Sequence, residues 1–503
     1  MSESFSYDVV PYPGLLFGQT HPDLMSTLAS YLGIAAADPA RCRVLELGCG
    51  DGSNLLAFAA ALPHSEFIGV DLSDLHIASA NQSAAEMEAK NLSFRQQDIL
   101  DLDLGTLGEF DFIIAHGFYS WVPVDVREKA LEIYSRCLAP NGIGFVSFNA
   151  YPGYKMWEMF RDMMRFHTVN TPDPMEKVSS GIDILRKAGA SAAAAGMSQF
   201  LFQSAFRSLS ERHPQNIFHD EFAPINQPFY FHEFVDHLKA HGLRFLAESA
   251  PLSPTNPSVS AVVDSVIPDG ASLETREQYV DFIECRSFRN LLICRDGLDA
   301  QREPANDIVQ AFYIASGFQP AAGAEGSGLF RGPNEESLKM DHPLTAAALS
   351  ILGSIWSRSL PFDALVDQAG SQLGEKPAGE DVSQLAENLL YLFEAGRIEF
   401  HRFQADFTTA VPERPRLHKV ARLQVEKGYR SISTMGGFTF TPDDDLVRLL
   451  LMLADGTRTR EKLISELGTR VQVPEERKAE FAVKLPEIID TALSQLAARG
   501  LFT

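Results

Sequence analysis

Short apolar runs alternate with helix-like segments over the first 150 residues of the chain. Arg43–Leu47 (RVLEL) is an apolar run that ends in glycines, and Ser53–Leu62 has helical composition. Phe67–Val70 (FIGV) predicts a second strand, followed by a helix from about Asp74 to Lys90. Leu92–Arg95, Phe112–Ala115 and Ile143–Phe148 read as the third, fourth and fifth strands, with a helix at Val126–Cys137 between the last two. Alternation of this kind builds a parallel sheet covered by helices on both faces.

The pattern changes after Tyr151. Met156 to about Arg212 is mostly helical, broken near Thr171-Pro172 and at the alanine-rich stretch Ala188–Ala195. A helix is expected at His232–His241, a strand at Leu243–Leu246 and a long helix at Arg276–Leu292, while Pro320–Gly328 is the clearest internal loop. The last third is internally duplicated. Leu344–Trp356, LPFDALV at Leu360–Val366 and NLLYLFEAGRIEF at Asn388–Phe400 make one copy. Leu446–Leu453, TREKLI at Thr459–Ile464 and TALSQLAARGLF at Thr491–Phe502 make the other. Each runs helix, short helix, longer helix, glycine, short strand, which suggests two winged-helix-like units; two unrelated helical bundles are the competing description. The expected fold is thus an α/β Rossmann-like domain (1–155), a mostly helical α+β middle region (156–300) and two winged-helix-like units (301–420 and 421–503).

Composition sharpens this outline. At 503 residues the chain is long enough for several cores. Its 43 basic and 66 acidic residues give a formal net charge of -23, a field that repels phosphate backbones, so no nucleic-acid partner is expected. The third helix expected in the first duplicated unit agrees, since it offers Glu387, Glu394 and Arg397 in place of a basic stripe. Five scattered cysteines without a CxxC pair argue against disulfides or a zinc site and point to a reducing, cytoplasmic setting. The polar start MSESFSYDVV lacks the features of a signal peptide, and no apolar run reaches the roughly 18 residues of a membrane span.

The decisive motif is Glu46-Leu47-Gly48-Cys49-Gly50-Asp51-Gly52 at the first strand-to-helix junction. Glycines there let the backbone turn tightly and approach a ligand, and the helix that follows presents free N–H groups. Asp71 ends the second strand where an acid can accept ribose hydroxyls, an arrangement that NAD-binding half-domains share. Here the agreement extends further, to Gln97-Asp98-Ile99 after the third strand, Asp111-Phe112 entering the fourth and Leu138-Ala139-Pro140-Asn141-Gly142 before the fifth. This series resembles the successive motifs of class I S-adenosylmethionine-dependent methyltransferases. The resemblance implies S-adenosylmethionine as cofactor, with its methionine moiety at Glu46, Gly48, Gly50 and Gly52. Its ribose falls at Asp71 beside Leu72, and its adenine at Gln97 and Asp98 beside Ile99.

Further strings resemble a narrower family, bacterial methyltransferases with a methyltransferase regulatory domain, which includes rickettsial lysine methyltransferases acting on outer-membrane proteins. These are Pro11-Tyr12-Pro13, Gln19-Thr20-His21-Pro22, His116-Gly117-Phe118-Tyr119-Ser120-Trp121-Val122-Pro123, Asn149-Ala150-Tyr151-Pro152-Gly153 and Pro228-Phe229-Tyr230-Phe231-His232-Glu233-Phe234. Arg276-Glu277-Gln278-Tyr279 leading to Asp281-Phe282 and Cys294-Arg295 completes the set. The resemblance implies methyl transfer to protein lysines and dimerisation through the middle region.

Methyl transfer from a sulfonium needs an aligned nucleophile and an amine freed of its proton. The Asp/Asn-Pro-Pro-Tyr motif of many amino-methylating enzymes is absent after the fourth strand, where His116, Tyr119 and Trp121 stand instead. Tyr119 and Trp121 are expected to wall the substrate channel, with His116 touching the cofactor and orienting or deprotonating the acceptor; Trp121 packing on the next helix is the competing placement. Asn149, Tyr151 and Tyr154 lie at the same carboxyl edge, where α/β sites form. Gln19, Thr20 and His21 form either a lid over the cofactor or a plain N-terminal strap. His219-Asp220 and His232-Glu233 do not make an HExxH motif, so no metal is expected. Met156, Met159, Met163 and Met164 suggest a packing face. A small-molecule methyltransferase and a non-catalytic cofactor-binding scaffold are the competing functions.

Overall fold

The computed structural model describes residues 9–503 apart from 11, 13, 192–195, 250–256, 269, 322–327, 334, 438, 443 and 472. The segment 1–8, Pro11 and Pro13, residues 192–195 of the alanine-rich stretch and 322–327 of the expected loop therefore lie outside the described residues. No described helix is long and apolar enough to cross a membrane.

One seven-stranded sheet organises the N-terminal half. Its strands are β1 (Arg43–Leu47), β2 (Glu66–Asp71), β3 (Leu92–Gln96), β4 (Phe110–Ala115), β5 (Leu138–Asn149), β6 (Leu243–Glu248) and β7 (Phe288–Arg295), in the order β3-β2-β1-β4-β5-β7-β6. β1 to β5 pair in parallel, and β7 runs antiparallel to both β5 and β6. The central strands are apolar on both faces because both are covered: Val44, Phe67, Phe112, Ile114 and Phe145 pack into one core, and Leu45, Val70, Ile113, Val146 and Phe148 into the other.

Two expectations are corrected here. The helix expected over Arg276–Leu292 stops at Glu284, where Cys285 adopts a left-handed conformation, and the rest of that run is β7. A short apolar stretch does not reveal by itself whether it is strand or helix, and here the vacancy beside β5 decides. The sheet is consequently mixed, and two strands from the expected middle region (156–300) complete it. Most of the remainder is an insert between β5 and β6, whose helices Tyr154–His167, Pro174–Ala190, Met197–Ser210 and Pro214–Phe222 share a small core around Phe160, Met164, Leu185 and Leu209, while the helices Pro257–Val266 and Leu273–Glu284 lie between β6 and β7. The methionine face is only half realised. Met164 is buried and Met163 packs beside it, but Met156 and Met159 are exposed.

A fully buried guanidinium joins the two added strands to the helix Leu273–Glu284 that connects them. Arg289 on β7 donates to both carboxylate oxygens of Asp281 at 3.1 and 2.7 Å, to Glu277 Oε2 at 2.9 Å and to Glu248. Neither Arg289 nor Asp281 exposes any surface. The returning chain also closes on the exit of β5: Gly153 N–H donates to Arg286 O at 3.0 Å, and a Cβ at Gly153 would lie 2.0 Å from Cys285 O.

The duplication is visible in topology. In the first unit Tyr313–Ala315 pairs with both Leu360–Pro361 and Glu399–His401. In the second, Arg416 bridges Asp455 and Leu417 bridges Phe502, in the same relation to three helices. The longer helix of the first unit, Gly379–Glu394, turns inward. Tyr31 OH donates to Glu394 Oε1 at 2.7 Å, and the Tyr31 and Phe393 rings stand 5.5 Å apart. Asp23 fixes the same unit by accepting from the Arg402 and Phe403 amides at 2.7 and 2.8 Å and bonding His401 Nδ1 at 2.8 Å.

Arg289→Ala leaves buried carboxylates uncompensated and should cost about 3–5 kcal/mol, read as a lower denaturant midpoint for the sheet domain. Burial opposes charging of His401, yet its bonds to Asp23 and Glu399 push its pKa up to about 10. That raised value means the docking energy is complete below the unfolded pKa of about 6.5 and is lost as pH rises through about 10. Thermal unfolding of the wild type followed against pH should show this loss, and Asp23→Ala should flatten it.

Candidate active site

The glycine loop is held from below by strand β2. Gly48 and Cys49 amides donate to Val70 O at 2.8 and 3.2 Å, and Gly50 N–H donates to Asp71 Oδ2 at 2.9 Å. The other Asp71 oxygen accepts from Ser73 N–H at 2.8 Å. Asp71 therefore sets the loop's shape as well as ending β2. Gly48 and Gly52 have φ of 69° and 77°, and a Cβ there would lie 2.7 Å from the Phe118 ring and 2.3 Å from the Phe94 ring. Glu46 is buried beneath this loop. Its Oε1 accepts from Asn54 Nδ2 at 2.8 Å, and its Oε2 has no hydrogen-bond partner among the described residues. Burial pushes its pKa up to about 8.

An N-terminal strap crosses the same edge. Phe17 N–H donates to Asn54 Oδ1 at 3.0 Å, and Asn54 Nδ2 also donates to Thr20 Oγ1 at 3.0 Å. Thr20 is fully buried, and His21 caps the helix Pro22–Tyr31 by accepting from Asp23 N–H at 3.1 Å. Both side chains are engaged in anchoring the strap, which matches the plain-strap alternative for this segment. Gln19 differs, since its Nε2 lies 3.3 Å from His116 Nε2. The His116 ring stacks between Phe17 and Phe145, with centroids at 3.7 and 5.7 Å. Burial there lowers its pKa to about 4, so the imidazole is neutral near pH 7 and is a poor base for an ammonium group.

The turn after β4 separates the expected substrate residues. Gly117, at φ 60°, donates to Ser147 Oγ at 2.8 Å, and Trp121 N–H closes a turn on Phe118 O at 2.9 Å. His116 and Phe118 stay near the glycine loop. Tyr119 drops into the opposite core, where it is 2% exposed, packs on Phe229 and Phe234, and bonds His237 Nδ1. It does not wall a substrate channel. Trp121 is partly buried within the turn.

At the end of β5 a polar chain runs from Asn149 Nδ2 to Asn226 Oδ1 at 2.9 Å and from Asn226 Nδ2 to Tyr154 OH at 2.5 Å. Tyr154 is buried there, and burial raises its pKa. Tyr151 points elsewhere. Its hydroxyl donates to Glu158 Oε1 at 2.7 Å, and its ring stands 5.2 Å from that of Tyr230. The ammonium of Lys155 lies over both rings, at 5.1 and 5.2 Å.

On the far side of the glycine loop Leu72 is 45% exposed, a large apolar side chain left open after β2. Asp98 accepts from Leu100 N–H at 3.0 Å, and Gln97 Nε2 donates to Asp101 O at 3.2 Å. The Ile99 side chain is buried in the core with Leu102 and Leu104, so only its backbone is available to a ligand. The second winged-helix-like unit closes the edge from above: Tyr429 OH donates to Asp51 Oδ2 at 2.6 Å, and Thr439 Oγ1 to Leu16 O at 3.2 Å. Sequence reasoning missed Asn54, Phe118, Asn226, Tyr230 and Tyr429. Asn54 sits two residues past the glycine motif and Asn226 two before Pro228, so local strings pointed near both; Tyr429 is distant in sequence and carried no such signal.

The residues present fit S-adenosylmethionine, because the unpartnered Glu46 oxygen below an open-backed glycine loop suits the ammonium of a methionyl group. A methyltransferase-domain family model matches residues 44–142, a predicted methyltransferase regulatory domain 213–295, and a PKMT C-terminal winged helix domain 413–501. The uncharacterized protein RP789 of Rickettsia prowazekii is 31% identical over 408 residues, covering 78% of this chain and 73% of that one. RP028 of the same organism is 34% identical over 237 residues, or 47% of this chain and 94% of that one. The solved structure of PKMT2 from Rickettsia typhi superposes with a TM-score of 0.84 at 22% identity, covering 98% of this chain and all of that one, and so shares the fold. Its complex with AdoHcy superposes at 0.82, with 23% identity and the same coverage. By these matches the chain belongs to the class I S-adenosylmethionine-dependent methyltransferases that carry a methyltransferase regulatory domain and a C-terminal winged helix, the family of its rickettsial relatives.

Proposed function

We propose that this methyltransferase methylates lysine side chains of a protein substrate. The observation that carries the reading is the Tyr151–Tyr230 pair beside the exit of β5, whose faces already hold the ammonium of Lys155. Tyrosine faces attract ammonium groups, more strongly where water is excluded. The matched PKMT winged helix domain and PKMT2 from Rickettsia typhi, both named for protein lysine methyltransferases, support the same reading.

Bound S-adenosylmethionine supplies a methyl group activated by its sulfonium charge. In this reading Glu46 takes the methionyl ammonium, with Gly48, Gly50 and Gly52 giving it backbone access. Asp71 has lone pairs left for ribose hydroxyls, while Leu72, Gln97, Asp98 and the Ile99 backbone serve the adenine end. Gln19 and neutral His116 orient the reacting groups, and Asn149, Asn226 and Tyr154 keep the β5 exit in shape. The acceptor ammonium would have to give up a proton to water before its nitrogen could take the methyl group; Glu158 and Glu233, near Tyr151 and Tyr230, favour the approach of a cationic side chain. We assign the helical insert to homodimerisation, since it exposes Phe166, Val169, Met197 and Phe200.

Labelled methyl transfer into a native cell extract tests the reading. Label in acid-precipitated protein, mapping to lysine, is expected; label in small molecules alone sinks protein methylation, and no label despite cofactor binding favours a scaffold. With a lysine substrate in hand, replacing both Tyr151 and Tyr230 by Ala should lower kcat/KM about 2- to 30-fold, matching a cation–π contact of about 0.5–2 kcal/mol, with cofactor affinity unchanged. Glu46, with its pKa near 8, is mostly protonated at pH 7 and must ionise to receive an ammonium group. Calorimetry in buffers of different ionisation enthalpy should therefore detect proton release on cofactor binding at pH 7, absent in Glu46→Gln, with wild-type affinity rising as pH approaches 8.

A further inference from the structure

On the face of the sheet away from the cofactor edge, two histidines and a glutamate converge. His237 lies on the helix Phe231–Ala240, and His241 is its C-terminal cap four residues later. Glu128 comes from the helix Val124–Cys137 across the gap. His237 Nε2 stands 2.9 Å from Glu128 Oε1, and His241 Nε2 stands 3.1 Å from Glu128 Oε2. One ligand atom from each of the three residues falls within 4.8 Å of the others. The remaining ring nitrogens are both engaged: His237 Nδ1 with the hydroxyl of buried Tyr119, and His241 Nδ1 with the His237 carbonyl oxygen at 3.1 Å. Each imidazole is thereby oriented with Nε2 toward the shared carboxylate.

We propose that Glu128, His237 and His241 form a zinc site that fastens the regulatory-region helix to the Rossmann-like domain. The donor set of two imidazoles and one carboxylate suits this borderline cation, and donors at about 2.0–2.2 Å from a tetrahedral zinc stand roughly 3.3 Å apart. The two imidazoles contact different oxygens of Glu128, at 2.9 and 3.1 Å, and the three donor atoms lie within 4.8 Å of one another, so a small side-chain rearrangement admits the ion. Three protein ligands leave a fourth position for water. Tyr119 and the His237 carbonyl are the outer partners that fix ring orientation in histidine–metal sites. The charged neighbour is Arg127, whose guanidinium is directed over the Tyr119 and Phe229 rings at 6.0 and 5.2 Å, and the chain's net charge of -23 favours cation capture overall. Through Tyr119, zinc would also restrain the turn that carries His116 and Phe118. The sequence pairs His219-Asp220 and His232-Glu233 lie outside this cluster. Their side chains are engaged elsewhere: His219 bonds Val10 O, Asp220 pairs with Arg212, His232 bonds Gln278, and Glu233 accepts from Tyr230 N–H.

The test is zinc titration of the chelator-stripped full-length chain against a chromophoric competitor, alongside the partly exposed variants Glu128→Gln and His241→Ala. One equivalent bound below micromolar Kd, weakened at least 10-fold in each variant, is expected. Tyr119→Phe should weaken binding about 10- to 100-fold without abolishing it. Cobalt in place of zinc should give the intense visible bands of a tetrahedral centre in the wild type only. Absence of saturable binding, or equal binding in wild type and both variants, would overturn the proposal and leave a plain pair of histidine–carboxylate contacts.

Discussion

The constraint on which the rest of this structure depends is the burial of Arg289. A guanidinium without solvent must be met by carboxylates and fixed acceptors, since an unpaired charge in that setting is costly. Asp281, Glu277 and Glu248 meet it from one helix and from the end of β6. Satisfying this one group therefore places β7 between β5 and β6 and brings the helix Leu273–Glu284 onto the sheet. With that return path fixed, the insert 150–242 is tied at both ends, and Asn226 and Tyr230 arrive beside the exit of β5.

The edge so formed is shared between distant parts of the chain. The strap through Phe17 and Gln19 crosses it, Asn54 links strap to Glu46, and Tyr429 reaches Asp51 from the last domain. The winged-helix units thus act within this molecule: one is anchored by Asp23 and Glu394, the other by Tyr429 and by Lys427, which donates to Ser83 Oγ at 2.7 Å. Both units therefore present part of their surface to the methyltransferase domain.

Electrostatics along this edge divide the labour. Glu46 and His116 are both neutralised by burial, one by a raised and one by a lowered pKa, so the interior of the site awaits charge from a ligand. The rim, by contrast, carries Glu158 and Glu233 beside the tyrosine faces. A cationic acceptor would meet the rim first and the desolvated interior second.

Elements whose signal is local could be read from the residue order alone. The glycine motif, Asp71, the alternation of β1 to β5 and the duplicated helical order were all legible, because tight turns and periodic burial leave marks within a few residues. Which side of the sheet each residue after β4 faces was set by the folded chain. One positive-φ glycine and a turn send His116 to the cofactor edge and Tyr119, three residues on, into the opposite core. Likewise, nothing local distinguished Phe288–Arg295 from a helix; the open edge of β5 and the acids waiting for Arg289 made it a strand. Tyr429 and Asn226 reached the site through packing between segments far apart in the chain, and such contacts depend on the whole fold being in place.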